Sequence, residues 1–398
     1  MIRLALVVSH PIQYYVPLYR RLAARGDVAV KVFFTLHAAD GPSLDRGFQR
    51  AFKWDIPLTE GYDWERVDNR ASDPGTHRVM GLRNPALVQR ILAWRPDAVH
   101  LTGYAWHSHL LAMRALSRRR IPVLFRGDSN LLDRHLRSLR WLLKRSLLSR
   151  VFSWPSAFLC VGSANRAYYE ALGVESARLF MCPHSIDVGR FVQDAGAAEA
   201  LASAWRSELA IPDESIVLLF AGKFEAKKRP VALMEAMSRL ARPGVVLVMV
   251  GDGELGDEVR RVAAREPARF RVLPFQNQSR MPVVYRLGDL FVLPSAFGET
   301  WGLGVNEALA CGRPVLVSTQ VGCAADVVNR AIGRIFTADN WGEFGRALDD
   351  LVSDPARLHA MRAAAQARAW DFDIPVTEAS TMHCLIQTLG LANPVPAP

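Results

Sequence analysis

The chain has 398 residues, half of them hydrophobic and 22% charged, the balance of an ordinary globular protein. A single core rarely grows past roughly 250–300 residues, so the length favours two domains. The formal net charge of +10 is carried almost wholly by arginine, since only six lysines occur; it suits an anionic partner without choosing among phosphate, nucleic acid and lipid. The five cysteines are odd in number and lack C-x-x-C spacing, which reads as reduced thiols and excludes a disulfide framework.

In chain order, "MIRLALVVSHPIQYY" enters a strand pattern at once. Its apolar stretch is too short for a signal-peptide core, and no run approaches the roughly 18 residues of a spanning helix. The expected location is therefore cytoplasmic, with the inner face of the membrane as a variant. "RLALVVS" (3–9), "VAVKVFFT" (28–35), "DAVHLTG" (97–103), "PVLFRG" (122–127), "AFLCVGS" (157–163) and "RLFMCP" (178–183) are nearly continuous apolar runs. Such runs fit parallel strands covered on both faces. Helical periodicity over 14–25, 85–94 and 107–120 fills the intervals, so a doubly wound α/β domain is predicted.

The Ala-rich stretch "DAGAAEALASAWRSELAIPDES" (194–215) breaks the pattern. A second series follows in "SIVLLFAG" (215–222), "GVVLVMVG" (244–251), "RFRVLP" (269–274), "DLFVLPS" (289–295), "RPVLVST" (313–319) and "GRIF" (333–336). The predicted fold is α/β, with two Rossmann-like domains facing across a cleft: 1–200, 201–375, and a C-terminal helix and tail at 376–398 able to cross back to the first. Ligands in such sheets bind beyond the carboxyl ends of the strands.

In the second domain, "AGKFEAKKRP" (221–230) leaves a strand and opens a helix. Gly222 allows close backbone approach, and Lys223 and Lys228 flank a turn where helix amides already favour an anion. Cations at a helix N-terminus oppose its dipole, so this basic turn suggests phosphate binding over a merely solvated end. "VGDGELGDE" (250–258) repeats the strand, glycine turn and helix at Gly251, a weak signal by itself. Phe275 and Asn277 follow another strand end and offer a stacking face and an amide to a base, or simply anchor a loop.

"FGETWGLGVNEALACGRP" (297–314) places Glu299 on a loop and Glu307 within a helix closed by Gly312 and Pro314. Gly302 and Gly304 at the helix start suit a diphosphate, and a carboxylate on either side suits hydroxyls. This is the complement of a sugar nucleotide. The segment resembles the E-x7-E motif of retaining glycosyltransferase family 4, a GT-B architecture. "GKFEAKK", "VGDGEL" and "PHSIDVGRF" (183–191) resemble that family's neighbouring blocks in order and spacing. The resemblance spans most of 178–330 and is fold-level before that.

The resemblance implies that Glu307 binds the ribose and Glu299 the donor sugar. The backbone amides of Trp301, Gly302 and Leu303 would meet sugar and phosphate. Lys223 and Lys228 would hold the diphosphate and stabilise the departing charge, so that no metal or other cofactor is needed. Lys223 stands where the family usually has Arg, keeping charge but not bidentate geometry.

In the first domain, His10, in "SHPIQYY" after the first strand, and Asp128, in "FRGDSN", are the candidate catalytic residues on the acceptor side. His107 and His109 are weaker candidates. "LLDRHLRSLRWLLKRSLLSRVFSW" (131–154) carries six Arg/Lys and one acid, with Leu132, Leu136, Leu139, Leu143 and Leu147 at three–four spacing. It reads either as a basic amphipathic helix on an anionic membrane or as a domain helix packing its leucines on the sheet.

The expected function is transfer of a hexosyl group from a UDP- or GDP-sugar to a glycan or lipid-linked acceptor, with a nucleotide sugar and no nucleic acid as partner. The alternatives are an epimerase or phosphorylase of the same architecture, and a catalytically silent anion- or nucleic-acid-binding protein.

Overall fold

The structure, a computed structural model, describes residues 1–36, 43–45, 50–132, 139–240 and 242–391. Contacts divide the chain into two compact units. The first takes Met1–Gly41, Pro57–His184 and the chain from Ile374; the second takes Pro42–Ile56 and Ser185–Asp373. The change of unit at His184/Ser185 comes ahead of the Ala-rich stretch. That stretch forms a helix, Ala195–Glu208, tied into the second unit where Arg313 donates to both carboxylate oxygens of Glu199 at 2.7 Å.

The sheet of the first unit has seven strands: β1 (Ile2–Val8), β2 (Val28–Phe34), β3 (Asp63–Arg66), β4 (Ala98–Thr102), β5 (Val123–Gly127), β6 (Ala157–Cys160) and β7 (Leu179–Met181). All pair in parallel, in the order β3-β2-β1-β4-β5-β6-β7. Central strands such as β5 and β6 are buried on both faces, which is why their sequences read as uninterrupted apolar runs. Phe125, Phe152, Phe158, Tyr168 and Tyr169 fill the core beside them. The helix Ile374–Thr388 packs on the helix Val16–Ala23 of this unit, where Arg25 pairs with Glu378 at 2.9 Å and Arg21 also binds it.

The six strands of the second unit are β8 (Ile216–Ala221), β9 (Val245–Val250), β10 (Phe270–Leu273), β11 (Leu290–Leu293), β12 (Val315–Ser318) and β13 (Gly333–Phe336). They are again parallel, in the order β10-β9-β8-β11-β12-β13. Both sheets thus reverse direction beside their first strand. In the second unit the switch lies between β8 and β11, where an open α/β sheet builds its ligand site.

Two features escaped the apolar pattern. Strand β3 is a short polar edge, "DWER", with no residue fully buried. A small antiparallel ribbon joins Ser43–Asp45 to Arg50–Phe52. The helix Leu139–Val151 also departs from the packed-leucine reading: it buries Trp141, Leu148 and Val151 and leaves Leu142, Leu143 and Leu147 exposed. Leu136, the side chain of Leu139 and the tail 392–398 lie outside the described residues.

Candidate functional site

Two loops leave the switch point side by side. The first runs from the end of β8 through Gly222 and Lys223 to a 3-10 turn, Ala226–Lys228. The helix that follows begins only at Pro230, because proline suits a first helical position. Lys228 therefore sits on the turn ahead of the helix. The second loop runs from the end of β11 through Ser295 and Glu299 to Gly302, which caps the helix Leu303–Ala310. The Ala296 amide donates to the Lys227 carbonyl at 2.9 Å and joins the two loops.

Gly251, at the end of β9, is required by backbone proximity: a Cβ there would lie 1.9 Å from the Gly222 carbonyl oxygen. The glycines between the glutamates have packing reasons of their own. Gly302 has φ +97°, and a Cβ there would meet Val321 at 2.8 Å. A Cβ on Gly304 would meet the Tyr285 hydroxyl at 3.1 Å. Each of these glycines thus has a packing reason to stay small, independent of any ligand.

The loops bring Glu299 onto Lys228. The Lys228 ammonium donates to Oε2 of Glu299, and the Ser295 hydroxyl donates to the same oxygen at 3.2 Å. Oε1 has no partner among the described residues. The backbone of Glu299 is fixed as well, bridging to Val321 and accepting from the Gly322 amide at 3.0 Å. Burial pushes the Glu299 carboxyl up, but Lys228, Lys227 and the Ser295 hydroxyl outweigh it and hold the group below its ordinary value. The side chains of Lys228 and Glu299 are only 15% and 13% exposed. Lys223, on the same loop, is half-buried.

Glu307 forms a second centre on the helix. It is 2% exposed; its Oε2 accepts from the Tyr285 hydroxyl at 2.6 Å, and Oε1 lies 4.0 Å from the Arg190 guanidinium. Arg190 is itself fixed by Gln278, at 2.9 Å to its carbonyl and 2.8 Å to its side chain. Arg190 and Tyr285 were not singled out by the sequence reading. Arg190 lay in a quoted segment but carried no motif meaning, and Tyr285 was given no role.

Trp301 is buried, its indole donating to Asn306 at 3.1 Å and its ring 6.0 Å from that of Phe372. Its side chain is thereby committed to the fold, and its carbonyl accepts from the Cys323 amide at 2.9 Å. Phe275 is half-buried. The Asn277 amide is committed to backbone, accepting from Gln278 and donating to the Lys53 carbonyl, each at 2.8 Å; it anchors this loop.

His10 and Asp128 belong to the first unit, at the ends of β1 and β5, with β4 between those strands. His10 bonds the Ser9 hydroxyl at 2.9 Å, and Asp128 is exposed. Between them in sequence lies Tyr15, beneath the buried guanidinium of Arg126 at 5.8 Å and stacked on His184 at 6.0 Å. His109 is structural: it is fully buried, bonds Thr35 at 3.1 Å and the Thr102 and Gly103 carbonyls at 3.0 Å, and burial pushes it down to about 4.

Two family models match the chain: "Glycosyl transferases group 1" over residues 202–368 and "Glycosyl transferase 4-like domain" over residues 11–184. The chain belongs to glycosyltransferase family 4. Its GT-B fold is shared with Anabaena HepE in complex with UDP, at TM-score 0.72 and 17% identity over 97% of this chain and 100% of that one. Sucrose-phosphate synthase from Thermosynechococcus elongatus follows at TM-score 0.70 and 19% identity, covering 98% and 100%. Among curated relatives, D-inositol 3-phosphate glycosyltransferase of Rhodococcus jostii is 33% identical over 43% of this chain. The chain spans only 40% of that relative's length. For this family member, Glu299 and Glu307 are the two acids of the E-x7-E motif, each now with a named protein partner.

Proposed function

We propose that the protein is a retaining glycosyltransferase that moves a hexosyl group from a nucleoside-diphosphate sugar to an acceptor hydroxyl on a glycan or glycolipid. The observation that carries this is the half-engaged carboxylate of Glu299: Oε2 is held by Lys228 and Ser295 while Oε1 takes no bond among the described residues. A carboxylate fixed by one oxygen and presented by the other is a hydroxyl acceptor of defined direction. Its ionised state, favoured by Lys228 and Lys227, keeps it an acceptor at neutral pH.

An ammonium has three donors. Lys228 can therefore hold Glu299 and still donate to a diphosphate at the turn that it shares with Lys223. As the anomeric C–O bond to the diphosphate breaks, negative charge grows on the leaving oxygen, where both lysines stabilise it. The new C–O bond to the acceptor forms on the same face, and the acceptor's proton passes to the departing phosphate. Glu307, oriented by Tyr285, reads the ribose diol. The lysines supply the charge that a metal supplies elsewhere, so turnover needs no cofactor.

HepE, whose fold this chain shares, was solved with UDP and glucose, which supports a UDP-sugar ahead of a GDP-sugar. A thermal-shift panel of UDP-, GDP- and ADP-sugars tests this, because a ligand that binds only the folded chain stabilises it by mass action. One donor series should raise Tm in the presence of EDTA, and the product should retain the donor's anomeric configuration by NMR. Stabilisation by none of the nucleotides, or an inverted product, refutes the proposal.

A further inference from the structure

The stretch Pro42–Ile56 precedes β3 in the chain but folds with the second unit. Its last residues meet the loop that follows β10. The Lys53 carbonyl accepts from the Asn277 side-chain amide at 2.8 Å. The Asp55 carboxylate accepts from the Ser279 backbone amide at 3.1 and 3.3 Å, and from the Ser279 hydroxyl as well.

These bonds fall where a helical segment needs them, since its first N–H groups have no carbonyl inside it to reach. The 3-10 turn Gln278–Arg280 runs straight into the helix Met281–Arg286. Asn277 Oδ1 accepts from the Gln278 amide at 2.8 Å, and the Asn277 carbonyl accepts from the Arg280 amide at 3.1 Å. The amide between them, that of Ser279, is taken by Asp55. A carboxylate 224 positions away in the chain thus completes the cap.

The capped segment carries two groups that bear on Glu307. Tyr285, on its helix, donates to Oε2 at 2.6 Å. Gln278, buried at the start of its turn, accepts from both terminal nitrogens of Arg190, through its carbonyl at 2.9 Å and its side chain at 2.8 Å. That grip leaves the Arg190 guanidinium 4.0 Å from Oε1. The direction of the Glu307 carboxylate is therefore tied to a short segment whose start Asp55 holds.

We propose that Asp55 is a positioning residue of the donor site. By capping the turn at Ser279 it fixes Gln278 and Tyr285, and through them the angle at which Glu307 meets the ribose diol. A side chain so placed adds no contact of its own to the ligand; it acts by locking the groups that hold one that does. Its effect falls on the choice of ribose over deoxyribose. The inference rests on the reading of Glu307 as the ribose acceptor.

The test is calorimetry of the full chain with UDP, GDP and their 2′-deoxy counterparts, on the parent, D55A, D55N and E307A. The parent should bind its ribonucleotide about tenfold or more tighter than the deoxy form, the scale of a hydrogen bond to a charged group. D55A should lower that ratio about fivefold, the scale of a lost cap, by weakening the ribonucleotide alone. D55N keeps an oxygen for the Ser279 amide and should restore most of the ratio. Asp55 is exposed, and Arg280 also lies over the Trp205 ring at 5.1 Å, so D55A should keep the parent Tm. An unchanged ratio in D55A overturns the proposal, and so does an equal loss for both nucleotide forms, which marks a purely structural role. E307A tells the two failures apart. If E307A erases the ratio and D55A spares it, only the role of Asp55 falls. If E307A keeps the ratio, or the parent binds none of the four nucleotides, the ribose reading falls and takes this inference with it.

Discussion

Replacing Lys228 by Met should do two separable kinds of damage. The ammonium is the nearest cation to the Glu299 carboxylate and, like it, is mostly withdrawn from water. Removing it strands a buried negative charge, for which losses of about 3–5 kcal/mol are typical of fully buried pairs. Ser295 and Lys227 still support Glu299, so about 2 kcal/mol is expected here. For a unit of this size that corresponds to a fall of about 4–8 °C in Tm. Activity should fall further, by about a hundredfold or more in kcat/KM, because the same ammonium meets charge that grows in the transition state. The double variant K228M/E299Q separates the two effects. With the carboxylate neutralised, no charge is stranded and most of the lost Tm should return, a coupling that a double-mutant cycle measures directly. Turnover should not return, since both the phosphate cation and the sugar acceptor are then gone. If the double variant regains turnover together with stability, the pair is structural only, and the reasoning fails.

The Glu299 carboxyl lies below its ordinary value, so its contribution to stability is present above the unfolded-state value of about 4.3 and is lost as pH falls through the lower folded-state value. The Tm advantage of the parent over E299Q should therefore be constant from about pH 7 to 5 and shrink below that; an advantage that survives to about pH 3 contradicts the assignment. Glu307→Ala should weaken nucleotide binding by about 1.5–3 kcal/mol in calorimetry, the scale of hydrogen bonds to a charged group. Tyr285→Phe, which leaves the carboxylate in place, should cost less. Unchanged affinity in Glu307→Ala removes the ribose assignment.

The strands were legible because burial on both faces leaves an unbroken apolar run, as in "IVLLFA" of β8, whose four central residues are buried. The same physics hid β3: an edge strand half in water has no such run. On the candidate site, loop and helix were legible for Glu299 and Glu307, since Gly312, with φ +68°, ends the helix where the sequence punctuates it. Their partners were not. Tyr285 reaches Glu307 from a preceding helix, and Arg190 comes from a segment more than a hundred positions away in the chain. Nothing in local spacing encodes such contacts. The leucine stripe shows a different limit. Periodicity finds an apolar face, but the helix Leu139–Val151 has two, and only tertiary packing decides that Trp141, Leu148 and Val151 go inward.

The pairing of Lys228 with Glu299 follows from strand order rather than from either motif. The two residues are far apart in sequence, yet β8 and β11 are hydrogen-bonded neighbours, so the loops leaving their carboxyl ends must meet. A lysine read as a phosphate ligand and a glutamate read as a sugar ligand thereby become each other's support. Such an arrangement has a chemical use. Alone, a lysine on a loop is a mobile point charge, and a carboxylate as buried as Glu299 would tend to take up a proton. Together each fixes the other: the ammonium keeps the carboxylate ionised and turns one oxygen inward, and the carboxylate keeps the ammonium at the turn. Under the proposed function, a site that reads a neutral sugar and neutralises a departing diphosphate would need both conditions at once, and one ion pair at the switch point would supply them.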